Sequence, residues 1–101
     1  MEIAVADNPE RDRYEARVDR EPAGYVAYRR RGERIALNHT EVDDAFEGKG
    51  VGSALASYAL DDARARGLAV IPYCPFINEW LKRHPSYTDL VPADERERFG
   101  L

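Results

Sequence analysis

The sequence predicts an α/β (α+β) domain: a mixed, mostly antiparallel twisted sheet with one parallel strand pair and two helices packed on it. Three observations carry this. Short runs with period-2 alternation, joined by tight turns, fill the first 42 residues. A glycine-rich loop, Gly48-Lys49-Gly50-Val51-Gly52, then opens a stretch with helical spacing. A short apolar run, Leu68–Tyr73, follows that helix, so it should return parallel to the strand before the loop by a right-handed crossover.

Taken in order, Glu2–Asp7 reads as a short strand and Asn8–Asp12 as a turn cluster. Arg13–Val18 alternates polar with apolar, the pattern of a half-buried strand. Asp19–Pro22 breaks it, Ala23–Arg31 forms the next strand, and Arg31-Gly32-Glu33-Arg34 a tight hairpin into Ile35–Val42. Arg29, Arg30, Arg31 and Arg34 at that hairpin read as a solvated end that keeps a sheet edge soluble. From Val51 to Arg66, Val51, Ala54, Leu55, Tyr58, Ala59 and Ala63 mark one apolar helix face, and Gly67 is the stop. Pro75–His84 is a second helix with Phe76, Ile77, Trp80 and Leu81 on its apolar side; Pro85 ends it. Pro92–Leu101 is charged and expected to be a frayed, mobile or short helical tail of this single domain, 1–101.

Composition narrows the function. Hydrophobic residues make up 44% and charged residues 34% of 101 positions, enough apolar content for one core beneath a densely ionic surface. A net charge of -4 argues against a protein that holds nucleic acid by bulk charge. The single Cys cannot form an internal disulfide, which fits a reducing cytoplasm. No leader-like start and no apolar run near the roughly 18 residues of a membrane span is found, so no membrane partner is expected. No metal site is expected, and a monomer or weak homodimer is.

Strand, glycine loop and helix start together make a site for an anion, most often phosphate. The first helical N–H groups are unpaired, the helix dipole adds partial positive charge, and glycines let a ligand approach the backbone. Lys49 adds a full charge. A Walker loop fails, because Gly48-Lys49 is followed by Gly50 and position 43 is Asp. A dinucleotide fingerprint is weak, because Gly48-x-Gly50-x-x-Ser53 ends in Ser and several strands precede it. A plain glycine turn before an ordinary helix remains open on these residues alone.

Three segments occur in one order. They are a strand ending His39-Thr40-Glu41-Val42, the loop-helix Gly48–Leu55, and Ile71-Pro72-Tyr73-Cys74-Pro75-Phe76 followed by His84-Pro85-Ser86-Tyr87. This order resembles the small, single-domain branch of the Gcn5-related N-acetyltransferase superfamily, over roughly Gly24–Val91. The family's loop pattern, Gln/Arg-x-x-Gly-x-Gly/Ala, matches at Gly50 and Gly52 and departs at Glu47. The resemblance implies a GNAT-like acyl-CoA N-acyltransferase fold, with acetyl-CoA as cosubstrate and an unknown amine as acceptor. Its pantetheine would lie between the two parallel strands where they splay apart, and its pyrophosphate on the loop. It implies a cofactor site of Val42, Gly48, Lys49, Gly50, Val51, Gly52 and Ser53; Asn78, on the first turn of the second helix, is either a further CoA contact or a residue that faces water. A non-catalytic module that binds CoA or acyl-CoA is the alternative. Larger members wall the acceptor site with N-terminal helices for which this chain has no room, so that site should be open or completed by a partner.

Three residues are placed for chemistry. By strand alternation Ile35, Leu37, His39 and Glu41 should share one face, bringing His39 and Glu41 beside the loop. His39 suits a general base near neutral pH, and Glu41 can orient it; a structural histidine and a solvated glutamate are the alternatives. Cys74 lies past the other parallel strand. It is either a nucleophile, a role associated with this branch, or a buried small apolar residue.

Overall fold

A computed structural model describes residues 1–101. Five strands pair in the order β1-β2-β3-β4-β5: β1 (Ile3–Asn8), β2 (Arg13–Val18), β3 (Glu21–Arg31), β4 (Arg34–Val42) and β5 (Ala69–Pro72). The first three pairings are antiparallel and β4–β5 is parallel. Between those last two strands runs α1 (Val51–Ala65), and β5 leads into α2 (Pro75–Arg83). No helix is long and apolar enough to cross a membrane.

The alternation in β2 sends Tyr14, Ala16 and Val18 into the core and leaves Arg13, Glu15 and Arg17 on the opposite face. The turn expected at Asp19–Pro22 is shorter. Asp19 and Arg20 both take positive φ (49° and 76°), and β3 starts at Glu21. Two left-handed residues match the twist of the strands they join. A bulge then follows, because Ala16 pairs with Gly24 and Arg17 with Pro22, so Ala23 is the extra residue. Ala23 and Val26, three positions apart, are therefore both buried.

On α1 the buried stripe is Val51, Leu55, Ala56, Ala59, Leu60 and Ala63. Tyr58, expected in it, lies at its flank, 38% exposed, with its ring edge on Tyr14. The helix ends by donating the Leu68 N–H to the Ala63 carbonyl and the Gly67 N–H to Arg64. Gly67 at φ +68° permits that turn. On α2, Ile77, Trp80 and Leu81 are buried, while Phe76 stays partly exposed. After Pro85–Leu90, a 3₁₀ stretch, the tail forms α3 (Ala93–Arg96) and one further turn, with Phe99 against Tyr73.

A polar network fastens α1 to the sheet. The Tyr14 hydroxyl donates to Asp62 (2.8 Å), Arg66 donates to the same carboxylate (3.1 Å) and pairs with Asp7 (3.4 Å), and the Tyr28 hydroxyl donates to Asp7 (2.7 Å). Burial, then the hydrogen bond to a carboxylate, pushes both tyrosine hydroxyls well above their ordinary range, so they remain donors. Tyr14→Phe is expected to lower the unfolding free energy by about 1–3 kcal/mol, because a buried charge-assisted bond is lost. Urea titration measures it, and an unchanged midpoint would show that the network contributes nothing.

Candidate active site

The site is built where β4 loses a partner. The β4–β5 register runs from Arg34–Ala69 to Leu37–Pro72. The Cys74 N–H then donates to the Leu37 carbonyl (2.8 Å), and Pro75 starts α2. Beyond Leu37, β4 continues to Val42 with β3 alone beside it.

At that same point β4 carries a bulge. Ala27 pairs with His39 and Tyr28 with Leu37, so Asn38 is extra. One extra residue reverses every later side chain. Ile35 and Leu37 face the core with Val26 and Tyr28. After the bulge it is Thr40, paired with Val26, that takes the core side, and Val42 packs on the core. His39 and Glu41 point to the opposite face. The expectation that Ile35, Leu37, His39 and Glu41 share one face is thus corrected: the alternation is broken at Asn38. The backbone follows the same logic. Asp43 donates to the Ala23 carbonyl, so positions 43, 41 and 39 bond toward β3. Positions 40 and 42 turn their N–H and C=O groups into the gap left by β5.

On the face turned away from α1, Glu41 is a hub. Its Oε2 accepts from the Tyr25 hydroxyl (2.8 Å) and lies 3.2 Å from His39 Nε2. Arg13 stacks over the Tyr25 ring at 4.6 Å. A carboxylate only accepts, so the contact assigns a proton to His39 Nε2, and in the neutral ring the lone pair is then on Nδ1. The Tyr25 bond, then the His39 bond, holds the Glu41 carboxyl below its usual range; the same bond raises Tyr25. The signs agree: Glu41 stays ionised to lower pH and Tyr25 stays protonated to higher pH, so the pair persists across neutral pH. Tyr25 was missed in the sequence, because only the register places it opposite Glu41.

Cys74 is elsewhere. It is buried, 2% exposed, with Sγ 3.2 Å from Thr40 Oγ1 on the core side of β4. His39 has 60% of its side chain exposed on the other face, and no hydrogen bond joins it to Cys74.

The glycine loop opens on a cleft of about 680 Å³. Val42, Gly48, Gly50, Val51, Gly52 and Ser53 line it, and Lys49 does not. The first bond of α1 runs from Ala54 N–H to Gly50 C=O, leaving the N–H groups of Val51, Gly52 and Ser53 without helical partners. Gly48 and Gly50 adopt φ of +74° and +85° with open space around a would-be Cβ. Gly52 differs, since a Cβ there would meet the Phe76 ring at 2.8 Å. From α2 come Phe76, Trp80 and Arg83, spaced to fall on one helix side. The Trp80 indole donates to Ser53 Oγ (3.1 Å), joining the two helices. Arg83 is the one Lys or Arg lining the cleft, and it makes no ion pair. Its helical spacing from Phe76 and Trp80 was the available sequence signal. Asn78 does not line the cleft, but its Oδ1 is a buried acceptor with no donor. A second cleft, about 480 Å³, lies across the end of β4, and Val42 lines both.

Tyr25→Phe is expected to return the Glu41 carboxyl upward, toward its ordinary range, because the hydroxyl bond is the largest cause of its depression. Carboxyl ¹³C NMR across a pH titration reads this. A Glu41 midpoint equal in both proteins would mean the bond does not exist in solution.

Comparison with known proteins agrees with this architecture. The family described as GCN5-related N-acetyl-transferase matches residues 13–90. Protein NATD1 from Homo sapiens is 40% identical over 55 residues, 54% of this chain and 49% of that protein; the Gallus gallus protein matches at the same identity. These matches span about half the length of the relatives. Among solved structures, a GCN5-like protein from Staphylococcus aureus superposes with a TM-score of 0.68 at 24% identity, covering 88% of this chain and 87% of that one. A ribosomal-protein-alanine N-acetyltransferase from Brucella melitensis superposes with a TM-score of 0.57 at 23% identity, covering 80% and 61%. At such identities these two likenesses speak to fold. With the family match over most of its length, the chain belongs to the GCN5-related N-acetyltransferase family.

Proposed function

We propose that this domain transfers an acetyl group from acetyl-CoA to an amine. The observation that carries the reading is the parted β4–β5 pair, opening beside a glycine loop at a helix start. The residues present fit CoA. The free N–H groups of Val51, Gly52 and Ser53 suit a pyrophosphate. The Thr40 and Val42 backbone edges offer what a strand-like pantetheine amide needs. Asn78 Oδ1 lacks a donor that an amide N–H would supply. Glu47 lines the loop cleft and disfavours phosphate; Arg83 offsets it. When bound, the thioester supplies an acyl carbon open to attack by a neutral amine. His39 Nδ1 takes the amine's proton, Glu41 holds the Nε2–H and stabilises the imidazolium, and Tyr25 keeps Glu41 ionised. Cys74 is read as a packing residue, since it is buried against Thr40 and apart from His39. Transfer is therefore direct.

Two predictions test this. Arg83→Gln should weaken CoA roughly tenfold, as expected for an exposed charge-assisted contact, and Gly50→Val should abolish binding because its φ of +85° is strained for any side chain. Calorimetry with CoA measures both; a folded Gly50→Val protein with wild-type affinity would refute the loop assignment. Separately, His39→Gln should cut turnover by about 10²–10⁴-fold with CoA affinity unchanged, whereas Cys74→Ala should keep most activity. Thiol release with a panel of amines reads turnover, and intact mass after incubation with acetyl-CoA alone reads Cys74. A stoichiometric acetyl adduct on Cys74, formed as fast as turnover, would overturn direct transfer.

A further inference from the structure

The second cleft holds opposite charges, and some of them do not neutralise each other. It lies on the β2–β3–β4 face that carries Tyr25 and Glu41, about 480 Å³ in volume. Most of its charges are already engaged. Arg13 bonds Glu15 at 2.7 Å with Arg11 at 3.7 Å from the same oxygen, and Glu41 is held by Tyr25 and His39. Three are not. Arg17 donates only to the Arg20 carbonyl (3.2 Å) and joins no ion pair. Asp43 gives one oxygen to the Ala45 N–H (3.0 Å), and it and Asp44 likewise join no ion pair. One wall thus offers a free guanidinium and another free carboxylates, within one cavity and not on each other.

A ligand with a single charge meets attraction at one wall and none at the other, while a ligand of both signs satisfies both. A guanidinium's planar fork matches a carboxylate with two parallel N–H···O bonds. The acidic wall adjoins Glu41, which stands on the same face of β4 as His39 with Oε2 3.2 Å from Nε2; His39 borders that face without lining the cleft. Val42 lines this cleft and the loop cleft together, so the two open on either side of one strand end.

We propose, resting on the acetyl-transfer reading above, that this cleft is the acceptor site and that the acceptor is an amino-carboxylate. Its amine sits at the Asp43–Asp44 wall beside Glu41 and its carboxylate on Arg17. The reaction balances without another reagent. The bound ammonium first gives one proton to water. The neutral amine nitrogen then forms a bond to the acyl carbon and the carbon–sulfur bond breaks. A second amine proton passes to His39 and on to the departing sulfur, which leaves as the thiol of CoA.

The test uses the full chain, ¹⁵N-labelled and saturated with CoA, and matched pairs of ligands that differ by the carboxylate: glycine with methylamine, β-alanine with ethylamine, 4-aminobutyrate with propylamine. Amino-carboxylates should shift the amides of Arg17, Asp43 and Asp44 and bind at least tenfold tighter than their partners. Arg17→Gln should erase that preference while leaving CoA affinity as it is. Equal binding of matched pairs, a preference that survives Arg17→Gln, or no shifts around this cleft would each overturn the proposal. The CoA titration itself separates the two readings. Shifts along residues 42–53 without amino-carboxylate shifts sink only the acceptor class, and no CoA shifts at all sink the acetyl-transfer reading on which it rests.

Discussion

One hydrogen bond organises the functional half of this fold: the Cys74 N–H on the Leu37 carbonyl. β5 itself ends at Pro72; the Cys74 N–H still reaches β4, and at Pro75 the chain has turned into α2. Proline suits the first helical position, where an N–H would have no partner, and it cannot donate to a neighbouring strand. β4 has no such interruption and runs five residues further, to Val42. The sheet therefore keeps an unpaired ladder edge beside the glycine-loop cleft. Such an edge is a template for another strand-like chain. A ligand shaped like a strand would pair with it, and the buried, unpartnered Asn78 Oδ1 lies on the helix that the same bond initiates.

The bulge at Asn38 gives the parting its second consequence. Without it, His39 and Glu41 would stand with Leu37 in the core. With it, Thr40 fills the inner position against Cys74, and the titratable pair moves to the solvent side beside Tyr25. The two surfaces of one strand end are thereby divided between tasks. The inner edge faces the glycine-loop cleft, the outer face carries the histidine, and Val42 borders both clefts. His39 is exposed on the outer face, where the Glu41 carboxylate and, through it, Tyr25 orient its ring.

A loop that offers helix N–H groups to a ligand works only if the helix is held. α1 is 15 residues long, and its two ends are fastened differently. Near its C-terminus Asp62 and Arg66 join Tyr14, Asp7 and Tyr28 in a network of buried hydroxyls and charges. At its N-terminus Ser53 takes the Trp80 indole N–H, while Gly52 lets the Phe76 ring lie against the helix. Phe76, Trp80 and Arg83 thus serve one wall, the first two by packing and the last by charge.

Much of this was readable from residues alone. Alternation at Arg13–Val18, the apolar stripe of α1, the Gly67 stop and the glycine loop each rest on local chemistry: side-chain periodicity, helix-end satisfaction and φ freedom. The parallel return of β5 followed from chain handedness. What could not be read is what depends on pairing across the sheet. Asn38 and Ala23 are ordinary residues, and nothing in their identity marks them as bulged; a bulge is a count of residues against a partner strand. Hence the face of His39 was misjudged, and Tyr25, which needs the register to meet Glu41, went unseen. Lys49 drew attention by its place in the loop, yet Arg83, 34 positions later, lines the cleft. Sequence determined which elements form and where the glycine turn before α1 lies, because those are decided within a few residues. Tertiary structure alone decided which side chains share a surface, because that is set by register and by where two strands stop touching.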